Sequence, residues 1–141
     1  MEGYEDLIAE AAPFVTTYLV LAGLMLGSFI NLAADRLPRG ESVVTPRSHC
    51  RICGRTLNVV DLLPVLGYVL RRGRCATCRA SIGPSAPVVE AVSGGLVTGA
   101  IFWQGLWPGA LTGLSLVAAF GVLVVVIATS RFRRGDRALR G

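Results

Sequence analysis

Ala91–Ser130 reads AVSGGLVTGAIFWQGLWPGALTGLSLVAAFGVLVVVIATS, forty residues without one charged side chain. As a single helix it would be about 60 Å long, twice the hydrocarbon thickness of a bilayer, so it must fold back on itself. The break falls at Gln104-Gly105-Leu106-Trp107-Pro108-Gly109. Pro and Gly end a helix there, and Trp103 and Trp107 suit the lipid-water boundary. A second uncharged run, Ala11–Ala34, holds 24 residues, and its part after Pro13 makes a helix of roughly 32 Å. A cleaved signal peptide would need a basic start, whereas Glu2, Glu5, Asp6 and Glu10 make this N-terminus acidic. The expected spans are therefore 14–34, 88–107 and 109–130, flanked by an acidic segment (1–13), a loop (35–86) and a basic tail (131–141).

Composition points the same way. Of the 141 residues, 52% are hydrophobic and 16% charged, well below the ~25% charged of soluble domains. The net charge is +5, and all fourteen cations are Arg, which suits phosphates and anionic head groups. Nine Arg lie in 35–86 and five in 131–141, with none before Asp35. Positive segments stay inside, so loop and tail are expected on the cytoplasmic face and the N-terminus opposite.

All four cysteines lie in that loop, as Cys50-Arg51-Ile52-Cys53 and Cys75-Ala76-Thr77-Cys78, 21 residues apart. Each short pair brings two thiolates to one side of a tight turn, and two pairs complete a tetrahedron around zinc. Two disulfides are the competing reading, which a reducing cytoplasm disfavours. A full shell of four cysteines leaves no open position for water, so the expected zinc is structural, folding a loop that otherwise lacks a core. Arg51, Arg55, Arg74 and Arg79 lie where they could offset the cluster's negative charge. His49, the single histidine, reads as a knuckle neighbour. The fold expected is thus an all-α integral membrane protein, three transmembrane helices with a small four-cysteine, zinc-binding cytoplasmic domain between the first two.

Small residues recur at helical spacing, Gly23/Gly27, Gly95/Gly99 and Gly109/Gly113, and predict close helix packing. Continuing the first stripe by fours reaches Asn31 and Asp35. Glu90 lies near the start of the second span, where it either compensates the helix dipole or serves a site at the membrane surface.

Gly27-Ser28-Phe29-Ile30-Asn31, Arg36-Leu37-Pro38-Arg39-Gly40-Glu41-Ser42, Ser48-His49-Cys50 with Cys53-Gly54, Leu63-Pro64-Val65-Leu66-Gly67-Tyr68, Arg72-Gly73-Arg74-Cys75 with Cys78, Ser81-Ile82 and Pro87-Val88-Val89-Glu90 resemble, in order, the N-terminal cysteine-bearing domain of type IV prepilin peptidases. The resemblance covers roughly Gly27 to Ala91. It implies a bacterial plasma-membrane protein of type IV pilus or type II secretion systems, acting on prepilin or pseudopilin leader segments by aspartyl proteolysis and then N-methylation with S-adenosylmethionine. The proteolysis in that family needs two aspartates, one at the cytoplasmic end of a later helix and one in Gly-x-Gly-Asp. In this chain Thr129 and Ser130 stand where the first is expected, and Gly135-Asp136 in an arginine-rich tail resembles the second only superficially. The expectation is an accessory or methyltransferase-like half working with a separate aspartyl protease half; a noncatalytic membrane adaptor is the alternative. Asp35, Glu41, Asp61 and Glu90 are the acids available as a base, with Glu90 and Asp35 the candidate catalytic residues. No glycine-rich nucleotide fingerprint is present, so a methyl-donor site rests on the resemblance alone. Nucleic acid is not an expected partner, because the basic loop offers only Tyr68 for base stacking.

Overall fold

The computed structural model describes residues 2–140, with side chains described for 10–136 and for Ala138. Met1 and Gly141, the outermost residues of the expected acidic segment and basic tail, lie outside the described residues. Four α-helices follow in order: α1 Glu2–Arg36, α2 Leu66–Leu70, α3 Ser85–Gln104 and α4 Leu106–Arg140. Single 3-10 turns occupy Leu37–Arg39 and Val60–Leu62, and the described residues contain no strand beyond two isolated bridges. Three stretches, Glu10–Arg39, Ser85–Gln104 and Leu106–Asp136, are long and apolar enough to cross a membrane.

The helices run further than the uncharged segments alone predict. α1 continues through Pro13, which removes one backbone donor but leaves the rest of the ladder intact, a loss membrane helices tolerate. The turn between α3 and α4 is one residue, Gly105, at φ 81° and ψ 174°, a conformation essentially restricted to glycine. Pro108, expected to mark the break, instead sits in the first turn of α4, where its missing N–H costs nothing. α4 also runs on to Arg140, so the arginine-rich tail is helical among the described residues.

α3 packs between α1 and α4. Its buried face is Val89, Glu90, Ser93, Gly94, Val97 and Ala100, and Ser93 and Val97 are fully enclosed. The approach is close because glycines face it. A Cβ on Gly27 would lie 2.7 Å from the Glu90 Cα, one on Gly23 would lie 2.9 Å from Val97 Cγ2, and one on Gly113 would lie 2.8 Å from the Val97 Cα. On α4, Gly109, Gly113, Val117 and Gly121 recur every fourth residue as one buried stripe. The expected α3 stripe is corrected: Gly95 and Gly99 face open space, and Gly94, one position earlier, packs under Leu24. The outward faces carry large apolar side chains, among them Phe14, Tyr18, Phe102, Trp103 and Leu111, each more than two thirds exposed. In water such a surface would be a liability, whereas in lipid it is the expected one.

Candidate metal centre and the cleft beside it

The two cysteine pairs fold as near copies of one hairpin. In the first, the Cys50 amide donates to Arg55 O at 2.8 Å and the Gly54 amide returns to Cys50 O at 2.8 Å. In the second, the Cys75 amide donates to Ala80 O at 2.9 Å and the Arg79 amide to Cys75 O at 3.1 Å. Both turns need a left-handed residue at the same place, supplied by Gly54 at φ 71° and by Arg79 at φ 59°. Glycine adopts this conformation freely, while arginine does so at a cost of about 1 kcal/mol or more.

The hairpins face each other, and the four Sγ atoms lie within 4.8 Å of one another. Cys50 and Cys78 are 3.8 Å apart across the cluster and Cys53 and Cys75 3.9 Å. These are not disulfide distances, and all four thiols are free. A regular tetrahedron with metal-sulfur bonds of about 2.3 Å has an edge of about 3.8 Å. The cluster therefore fits a metal ion. Amides of Cys78 and Thr77 pull the Cys75 thiol down to about 6, and amides of Cys53 and Ile52 lower that of Cys50. The Ala80 amide favours a Cys78 thiolate, but burial and the crowding of the other three sulfurs push that thiol up to about 11. Crowded thiols that resist joint ionisation are what a divalent cation relieves. His49 is outside the cluster, exposed, with Nδ1 3.0 Å from Arg47 O.

Asp61 joins the two hairpins, a role the sequence does not signal. Its side chain is 4% exposed and accepts from Arg55 Nη2, from Arg71 Nε at 2.7 Å and from the Asn58 amide at 3.1 Å. The Asn58 side chain reciprocates by accepting from the Asp61 amide at 3.0 Å. Arg55 lies two residues beyond Cys53, and Arg71 four before Cys75. Burial pushes the Asp61 carboxyl up, but the Asn58 amide and the two guanidinium groups outweigh it and hold the carboxyl below its ordinary value. The Asp61 carboxylate, and to a lesser degree the Cys75 thiol, strengthen the hold of the Arg55 guanidinium on its proton. Of the other arginines expected to offset the cluster, Arg51 pairs instead with Asp35 and Glu41.

Asp35 and Glu90 both line the cleft that the loop forms with α1, α3 and α4, but neither stands free. Asp35 lies between Arg39 and Arg51. Glu90 is 6% exposed and accepts the Val65 amide at 2.6 Å. Val65 is a β-branched residue at φ 60°, the centre of a tight turn closed by Leu66 N to Pro64 O at 2.5 Å. That conformation is rare and strained, so the carboxylate holds the loop onto α3 at its least favourable residue. Arg36, buried at the end of α1, holds the other side by donating to Ser42 O and Pro46 O, each at 2.8 Å. The cleft measures about 1100 Å³. Phe29, Leu32, Val124 and Ile127 line it together with the charged Asp35, Arg39, Arg51 and Arg131.

Comparison with known proteins matches residues 21–104 to the Bacterial Peptidase A24 N-terminal domain, the stretch from mid-α1 to the end of α3. The chain is 33% identical over 138 residues to a prepilin leader peptidase/N-methyltransferase of Burkholderia pseudomallei, covering 80% of this chain and 43% of that protein. Proteins of the same description from Bacillus subtilis and Myxococcus xanthus are 34% and 36% identical, covering 79% and 71% of this chain but 44% and 28% of their own lengths. The chain thus spans less than half the length of these relatives. No solved structure matches it. With both cysteine hairpins inside the matched stretch and three helices apolar and long enough to cross a membrane, the chain is a multi-pass membrane member of the prepilin leader peptidase/N-methyltransferase family, carrying its A24 N-terminal domain.

Proposed function

We propose that this chain is the substrate-handling half of prepilin processing: it receives prepilin or pseudopilin leader segments at the cytoplasmic face of the plasma membrane, and peptide-bond cleavage is left to aspartates carried elsewhere. The observation that carries the reading is the cleft of about 1100 Å³, whose lining passes from apolar side chains of α1 and α4 to Asp35, Arg39, Arg51 and Arg131. Such a lining suits a polypeptide with a charged stretch beside an apolar one. The metal in the four-cysteine cluster is zinc in this reading, held by Cys50, Cys53, Cys75 and Cys78 as a structural ion that shapes the cleft wall. The arginine excess of loop and tail supports the cytoplasmic orientation.

A catalytic role for this chain's acids has less support. Aspartyl proteolysis needs a pair of carboxylates with separated proton affinities. Asp35, Asp61 and Glu90 are each engaged by arginines or a backbone amide, and Glu41 faces Arg51 at 3.5 Å. Where the resemblance leads the family's first aspartate to be expected, at Thr129 or Ser130, the Thr129 hydroxyl donates to Val125 O of its own helix at 2.8 Å. For S-adenosylmethionine, the described residues provide neither a glycine-rich strand-turn-helix nor an unengaged acid in the cleft, and we derive no methyl-transfer step through them.

The test is a prepilin carrying a photo-crosslinker in its apolar stretch, mixed with metal-loaded protein in lipid nanodiscs, with the leader followed by mass spectrometry. Crosslinks to α1 and α4 with an intact leader, and cleavage only after an aspartate-bearing family member is added, are expected. Robust cleavage by this chain that disappears in Asp136→Asn would overturn the reading.

A further inference from the structure

Beyond substrate handling, one outer face of the loop shows the chemistry of a bilayer contact. α2 places Leu66, Val69 and Leu70 on one side at i, i+3 and i+4, and they are 59%, 61% and 63% exposed. Immediately after it, Arg72 at φ 53° and Gly73 at φ 64° turn the chain back. The turn opens a cleft of about 390 Å³ lined by Leu70, Arg71, Arg72, Arg74, Ala76 and Arg79, with no carboxylate among them. Arg71 is engaged by Asp61, while Arg72, Arg74 and Arg79 are exposed and make no ion pair among the described residues. A soluble surface intersperses both signs of charge and avoids clustered leucines. Here three cations with no acid partner border an apolar helix face.

Height relative to the membrane decides what covers this face. α3 has 20 residues, about 30 Å, matching one hydrocarbon thickness. Glu90 is its sixth residue, roughly 7.5 Å below its start, and its carboxylate holds the Val65 amide at 2.6 Å. α2 begins at the next residue, and Gly67 is pressed against the carbonyls of Val60 and Asp61, where a Cβ would come within 2.7 Å of either, so α2 cannot roll away. The apolar face is therefore held within about 7.5 Å of the level where head groups meet acyl chains, the depth to which interfacial helices bury their apolar face.

We infer that Leu66, Val69 and Leu70 dip into the bilayer interface while Arg72, Arg74 and Arg79 gather phosphates of anionic phospholipids, so that the metal-binding loop docks on the membrane rather than standing off it. Apolar burial and phosphate attraction together are what hold interfacial segments in place. Each arginine near an anionic surface strengthens attachment roughly fivefold, so losing three lowers the docked-to-undocked ratio on the order of 10²-fold.

The experiment uses the full chain in nanodiscs, with Trp103→Phe and Trp107→Phe to remove the native indoles and Leu70→Trp as reporter. Lipids brominated high in the acyl chain quench a tryptophan at the interface. Strong quenching in phosphatidylglycerol-containing bilayers is expected, with most of it lost in pure phosphatidylcholine and in the added triple substitution Arg72→Gln, Arg74→Gln, Arg79→Gln. Metal content measured on the same samples verifies that the hairpins remain folded; if the triple variant loses its metal, 0.5 M salt on the parent protein, which screens the same charges, must release the quenching instead. No quenching in any bilayer, quenching indifferent to lipid charge, or capture of soluble inorganic phosphate without quenching overturns the inference.

Discussion

Replacing Asp61 should loosen the metal centre without touching a cysteine. In Asp61→Ala, two guanidinium groups and the Asn58 amide lose their shared acceptor. A hydrogen bond to a charged group is worth about 1.5–3 kcal/mol, but Arg55 and Arg71 side chains are 26% and 31% exposed, so water recovers part of the loss. Removing the carboxylate also relieves its own burial. The net cost is about 2–3 kcal/mol of loop folding. Under the proposed role of the metal, binding and loop folding are one equilibrium, and this appears as metal affinity weakened roughly 30- to 150-fold. Asp61→Asn, which keeps one oxygen acceptor, should fall between. The sign with pH follows from the lowered carboxyl: its contribution is complete above the unfolded value of about 3.9 and is lost only as pH falls through the lower folded value. The affinity ratio of wild type to Asp61→Asn should therefore be constant from pH 6 to 8. Competition against a chromophoric chelator measures both quantities. An Asp61→Ala protein within threefold of wild type would refute the linkage between the hairpins.

Three further outcomes follow from the packing and the charge pattern. Gly27→Leu drives a Cβ into the Glu90 backbone and should lower stability in detergent by about 2–3 kcal/mol, whereas Gly99→Ala, facing open space, should be neutral or slightly stabilising; thermal unfolding of the two variants separates them. Glu90→Ala strands the Val65 amide in its strained turn at about 1–3 kcal/mol, so limited proteolysis between Leu62 and Leu70 should quicken about tenfold, and Glu90→Gln, which keeps an acceptor, should restore most of the protection. A membrane-impermeant thiol reagent on intact cells should label Gly3→Cys and spare Arg140→Cys; the reverse pattern would invert the proposed topology.

The three apolar helices were legible because lipid solvation demands long uncharged runs and nothing else satisfies their backbones. The gathering of the four cysteines into one cluster was legible because two short Cys pairs are a local signal. The glycine faces of α1 and α4 also appear in the sequence, but that of α3 is displaced from Gly95 to Gly94, since one residue turns a helix by about 100° and a Gly-Gly pair offers two equivalent faces. The corner at Gly105 lies inside the break expected over 104–109, but the expected span bounds fall around Pro108 because proline looks like the stronger stop, although it is harmless in a first helical turn. The parts that hold the loop were hidden. Arg36, Asp61 and Glu90 find these partners 6 to 25 residues away, after the chain has doubled back, and no periodicity marks them. Glu90 stood out as a membrane-edge carboxylate; that it clamps the Val65 amide depends on a positive-φ valine that no propensity would place there.

In the proposed function, four thiolates close one metal site that folds the loop and shapes the cleft. X-ray absorption on purified, reduced protein, with metal analysis of the same sample, tests this most directly. One zinc per chain with four sulfur neighbours at about 2.3 Å, and loss of the metal in Cys75→Ser, is the predicted result. Reduced protein without stoichiometric metal that still shows a folded, protease-resistant loop, or a Cys75→Ser variant that keeps its full metal content, would contradict it.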